Sequence, residues 1–173
     1  MGKERKQKAK FEIPDPKKQL DDIKKIKAKY QLGESGMSFY EIRELKPVFA
    51  FDYLSLERTP LCFNSVGLDV DDYIGFLDGL KRNSAKTYHE LSTNRYYRFH
   101  SIDFDNDNIS ITRKHFKQAL TNKEELLDDE ELPTLYQFDL HYHQKARACG
   151  FLFKGVFYLI WFDKDHIIYP GDK

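Results

Sequence analysis

Apolar and polar residues alternate most regularly towards the end of the chain. In YQFDLHYH (136–143), Tyr136, Phe138, Leu140 and Tyr142 take one set of alternate positions and Gln137, Asp139, His141 and His143 the other. Successive side chains of a strand project to opposite faces, so the pattern predicts a strand with an apolar face and a polar face, the latter carrying both histidines. The runs RACGFLF and VFYLIWF then flank Lys154-Gly155, a two-residue turn in which glycine supplies the positive φ. That turn sets a register: Phe153 against Val156, Phe151 against Tyr158, Gly150 against Leu159, Cys149 against Ile160, Ala148 against Trp161 and Arg147 against Phe162. Residues 156–162 are apolar on both faces and are expected at the centre of a sheet. DKDH turns the chain, and IIYP adds a short last strand.

Earlier segments are less uniform. Leu20, Ile23, Ile26 and Tyr30 recur at helical spacing among lysines, which predicts an amphipathic helix ended by GESG at 33–36. PVFAFDYLSL and PLCFNSV are ring-rich and read as a hairpin. Leu68, Tyr73, Ile74, Leu77 and Leu80 can share a helix face, with Asp69, Asp71 and Asp72 at its positive end. A short helix follows, with Ser84 as its N-cap. Alternation returns over 95–104, where Arg95 and Arg98 fall on opposite faces, as expected of a strand at a sheet edge or beside a cleft. TRKHFKQAL is helix-like, and the acidic stretch at 124–131 reads as solvated.

Charge sharpens this picture. The chain has 173 residues and no net charge, with 40% hydrophobic and 32% charged residues. Residues 1–32, however, carry about six more cations than anions, including Lys24 and Lys25. The division is a basic arm with its amphipathic helix over 1–32 and a single α+β domain over 37–173, an antiparallel sheet with helices packed on it. With 14 Phe and 11 Tyr, the core is expected to be built from rings. Cys62 and Cys149 sit in separate apolar runs and read as buried thiols in a cytoplasmic, reducing setting. No membrane span is expected, since no apolar stretch approaches about 18 residues.

Several chemistries suit the polar residues. The histidines and nearby arginines can serve acid–base work on RNA, His exchanging protons near neutral pH and Arg or Lys stabilising charge on a phosphate. The candidates are His100, His141, His143 and Arg147, with Arg95, Arg98 and His166 beside them. A binding module is the other reading: Arg95, Tyr96, Tyr97 and Arg98, with Lys24 and Lys25 of the arm, can grip single-stranded nucleic acid by phosphate pairing and stacking, or anchor a protein partner. His141 and His143 also have a spacing that can serve a metal, with Asp139 or His166 as further ligands, but no motif fixes a third ligand. The remaining reading is a solvated sheet face. His89 and His115, on helices, carry no functional expectation, and no cofactor is expected.

From Arg147 to Asp163 an Arg-bearing strand leads through a hairpin to an apolar strand and an acidic turn, ending GFLFKGVFYLIWFDKDHIIYP. With the preceding strand and two helices, this order resembles RelE/ParE-type toxins over about residues 60–170. Arg147 stands where such a family often has a basic residue; Tyr158 and Leu159 stand where a second would be sought. The resemblance implies a metal-independent endoribonuclease. The leading expectation is a module binding nucleic acid, or a protein associated with it, in a toxin, phage-defence or mobile-element system; the RelE-like endoribonuclease is the alternative.

Overall fold

The computed structural model describes residues 39–56, 61, 67–121, 127–140 and 145–170. The basic arm with Lys24 and Lys25, its amphipathic helix, Cys62, His141 and His143 all lie outside these residues. The strands are β1 (Val48–Ala50), β2 (His100–Ser101), β3 (Leu135–Asp139), β4 (Arg147–Phe153) and β5 (Val156–Asp163). They form one sheet of five strands in the order β1-β5-β4-β3-β2. Among the described residues four helices accompany it: α1 (Phe39–Ile42), α2 (Val70–Ser84), α3 (Tyr88–Thr93) and α4 (Arg113–Thr121), with a 3-10 turn at Asp129–Glu131. The expected α+β class stands. The sheet is mixed, however, because β1 runs parallel to β5 while the other pairs are antiparallel.

Local chemistry explains where the helices begin. At the start of α2, Asp69 accepts the backbone N–H of Asp72 at 3.0 Å, and Asp72 accepts that of Asp69 at 2.9 Å. This reciprocal cap satisfies two amides that the helix leaves without partners. Lys164 adds its ammonium to Asp72 at 2.7 Å, and that bond raises the lysine pKa. Ser84 is not the N-cap of the next helix, as it sits in the last turn of α2 and donates to the carbonyl of Lys81. Thr87 caps α3 instead, in a box with Glu90. The buried side of α2 matches expectation only in part: Leu80 is buried, but Phe76, Gly79 and Asn83 also face inward, whereas Ile74 and Leu77 are exposed. Gly79 accounts for the choice, since a Cβ there would lie 2.6 Å from the Leu140 carbonyl oxygen, and only glycine lets helix and strand approach so closely.

β1 pairs in parallel with β5 at the edge of the described sheet, and the run expected to form a hairpin with it, 60–66, lies outside the described residues apart from Leu61. Two other expectations give way. Of the alternating stretch 95–104, only His100 and Ser101 are strand. Asn94 accepts the backbone N–H of Tyr96 at 3.0 Å, and Arg98 adopts φ 47°, so the chain before β2 is a turn. The IIYP segment forms no strand, because the amides of Ile167 and Ile168 both donate to the Asp163 carboxylate at 2.8 Å.

Each sheet face has its own core. Phe138, Ala148, Phe157, Leu159 and Phe162 pack with Phe76 and Leu80 of α2 and Tyr88 and Leu91 of α3. Leu135, Cys149, Phe151, Ile160 and Trp161 pack on the other face with Phe116 of α4 and Ile168. The β4–β5 hairpin holds the expected register from Phe153–Val156 back to Gly150–Leu159. A shift between Cys149 and Gly150 then sets Cys149 against Trp161, Ala148 against Phe162 and Arg147 against Asp163. Ile160 is the extra residue, and both it and Trp161 join the second core, as a bulge allows.

Candidate functional site

The bulge aligns a charged row across three strands. Asp139 pairs with Arg147 on one side, and Arg147 with Asp163 on the other. The Arg147 side chain is 1% exposed, and its Nη1 lies 3.0 Å from Asp139 Oδ2 and donates to the Ala146 carbonyl at 3.1 Å. Burial draws the guanidinium below its ordinary pKa, while Asp139 and Asp163 act against that shift. Burial also pushes the Asp163 carboxyl up, against the amides of Ile168 and Ile167 and the Arg147 charge. A buried ion pair of this kind is costly to break from one side, because the remaining charge is stranded. The polar side of β3 is therefore enclosed where it is described: Gln137 is 2% and Asp139 6% exposed.

A second row lies beside the first. His100 pairs with Gln137 and Gln137 with Cys149. His100 Nδ1 sits 2.8 Å from the Ser101 carbonyl, which only accepts, so in the neutral ring Nδ1 carries the proton. Nε2 then accepts from the Gln137 amide at 2.9 Å. Cys149 is fully buried, and burial pushes its thiol pKa well up, which suits packing and not nucleophilic attack.

Two loops complete the surroundings. Through its carboxylate, Asp163 fixes the segment carrying His166 and Tyr169, and Asn106 donates to the Tyr169 hydroxyl at 3.1 Å. The turn carrying Arg95 and Arg98 is tied to β3 by the Asp139 amide, which donates to the Tyr97 carbonyl at 2.7 Å. Asn83 of α2 reinforces that end of β3, donating from one amide nitrogen to the carbonyls of Gly79 and Asp139 at 2.8 and 3.0 Å. Together these segments enclose a cleft of about 440 Å³ lined by Arg95, Arg98, His100, Gln137, His166 and Tyr169, with Leu91 and Phe99 as apolar lining. Arg98 remains 59% exposed, 3.8 Å from Asp139. His166 has φ 58°, and its Nε2 is enclosed with no hydrogen-bond partner among the described residues. Burial, helped by the Arg147 and Arg98 charges, lowers the His166 pKa to about 4.

The structure thus places Arg95, Arg98 and His100 around one opening, where His166 joins them. Arg147 lies beneath, inside the charged row. Tyr96 is 62% exposed on the turn at the rim, its ring edge-on to that of Tyr97. His89 and His115 stand on α3 and α4, and His115 Nδ1 accepts the Thr112 amide at the start of α4. Gln137 and Tyr169 were missed by sequence reasoning. Gln137 carries no motif, and Tyr169 reaches the cleft on a loop held by Asp163, Ser110 and Asn106, which are distant from it or unremarkable in sequence. Among the described residues no three His, Cys, Asp or Glu side chains converge as metal ligands. No family model matches the chain, and neither the curated proteins nor the solved structures contain a match.

Proposed function

We propose that this cleft binds nucleic acid, in the setting of a toxin, phage-defence or mobile-element system. One observation carries the reading: Arg95 and Arg98 stand at the opening, whereas Asp139 and Asp163 are turned inward, against Arg147 and backbone amides. The face offered to a ligand is therefore more cationic than the neutral chain as a whole, and arginine pairs with phosphate in a planar, directed way. Ring side chains beside the arginines supply the stacking surface that unpaired bases require. The arm with Lys24 and Lys25 extends the contact by neutralising further phosphates.

Labelled single-stranded RNA and DNA should bind the full chain with an affinity that falls steeply as salt rises, because each neutralised phosphate releases condensed counterions. Substituting Lys24→Gln with Lys25→Gln should flatten that dependence, and Arg95→Gln should weaken binding. An affinity indifferent to salt and to these substitutions would remove the reading.

A second reading, the RelE-like endoribonuclease, draws support from the presence of His100 and His166 in the same cleft as Arg98. Two imidazoles beside a guanidinium can move protons and stabilise a pentacovalent phosphate. Arg147 would then act through Asp139 and not on the substrate. RNA incubated with the protein and a chelator should be cut, and His100→Asn should abolish the cutting; intact RNA would leave binding alone.

A further inference from the structure

The shape of the cleft restricts what kind of nucleic acid it can take. Duplex sequence is read by a protruding helix or ribbon that enters a groove, the major groove being about 12 Å wide. The arrangement here is the reverse: charged and ring side chains line a recess, and the recess has about 440 Å³. That falls at the small end of the roughly 300–1,000 Å³ typical of sites for single small molecules. Its lining is graded. Arg95 and Arg98 supply cations, Leu91 and Phe99 an apolar surface, and His100 and Tyr169 two rings set edge to face with centroids 5.8 Å apart. These parts match the phosphate and the flat base of a single nucleotide.

The rings are also held in place. His100 is fixed through both ring nitrogens, to Ser101 and Gln137, and the Tyr169 hydroxyl accepts from Asn106. Side chains already fixed lose little rotamer freedom when a base stacks on them, so more of the contact energy survives as affinity. Arg98 sits on the turn before β2 with a left-handed backbone, and its side chain is largely exposed.

We propose that the cleft seats one unstacked nucleotide of a single strand or strand end, its phosphate paired with Arg95 and Arg98 and its base packed against Tyr169 and His100. This rests on the nucleic-acid reading and adds to it that the ligand must be unpaired where it enters. Free nucleoside monophosphates are then sufficient ligands, while a closed duplex is not.

A competition experiment tests this with the full chain and a short labelled single-stranded RNA. Adenosine, cytidine, guanosine and uridine 5′-monophosphates are the competitors, set against the parent nucleosides, inorganic phosphate and a blunt duplex. The monophosphates should displace the strand, with nucleosides and inorganic phosphate at least about tenfold weaker, equivalent to about 1.4 kcal/mol. The duplex should not compete. Tyr169→Ala should weaken monophosphate binding by about tenfold while Tyr169→Phe retains it, which separates loss of the ring from loss of the Asn106 bond. Circular dichroism and a thermal melt establish that each variant is folded. If the strand binds but monophosphates fail to displace it, or if inorganic phosphate or duplex competes equally well, the nucleotide seat is wrong and the broader binding reading survives. If the strand itself does not bind, both fall.

Discussion

Arg98 occupies a backbone conformation that L side chains rarely adopt, at φ 47°, on the turn leading into β2. Such a residue costs on the order of 1–3 kcal/mol, so its persistence points to a use for the side chain or the turn. Its ion pair with Asp139 does not supply the compensation, because at 3.8 Å with Arg98 largely exposed it contributes little. Arg98→Gly should therefore leave the thermal midpoint unchanged or raise it, while reducing nucleotide affinity by about tenfold. A variant that lost both stability and binding would show that the arginine serves the fold. Reading the sequence at this scale offered Arg95, Arg98, His100 and Arg147 alike as candidates, because residue type alone cannot show which cations a sheet encloses. The side chain of Arg147 is 1% exposed, while that of Arg98, of the same chemistry, faces solvent.

Among the elements, the β4–β5 hairpin shows where sequence patterning stops. From its turn to Gly150–Leu159 the register was legible, since Lys154 and Gly155 both adopt positive φ and fix a tight reversal. Beyond that point Ile160 and Trp161 are both apolar, and alternation cannot tell which of them is inserted. The bulge begins beside Gly150, where a Cβ would lie 2.0 Å from the Tyr158 carbonyl oxygen and 2.7 Å from the Phe157 ring. Gly150→Ala should force these strands apart and destabilise the protein by about 3 kcal/mol, as severe overpacking does. Urea denaturation followed by circular dichroism measures this, and a loss below about 1 kcal/mol would mean that the bulge yields easily. The short strand at 100–101 was obscured for a different reason: the pattern over 95–104 is strand-like, but Asn94 and the left-handed Arg98 make a local turn that alternation does not register.

For the molecule as a whole, the α+β class, the meander and α4 were legible because they rest on periodicity. The parallel edge strand and the cleft were not, since both depend on segments distant in sequence meeting. The buried groups of this assembly also set a pH dependence. The His166 pKa falls from 6.5 to about 4 on folding, so the unfolded chain binds more protons in that interval. Its contribution to stability is full above about pH 6.5 and is lost as pH falls towards 4. Asp163 acts in the opposite sense, because its raised pKa favours the folded state at low pH and that contribution declines as pH rises. His166→Asn keeps a residue that tolerates positive φ and should flatten the loss of stability between pH 6.5 and 4, read from urea midpoints at each pH. Parallel curves for the two proteins would remove His166 as the origin.

The pairing of β1 with β5 bears on how the protein is made. Val48 meets Val156, so synthesis releases one edge of the sheet long before its neighbour exists. Neither the α2–α3 region nor the chain through β4 offers β1 its final partner. Until Val156 to Tyr158 have left the ribosome, the nascent chain carries an unmatched strand, and late docking of this kind is slow and prone to wrong partners. Cells that stall or truncate translation just short of β5 would therefore release a chain with an open, sticky edge.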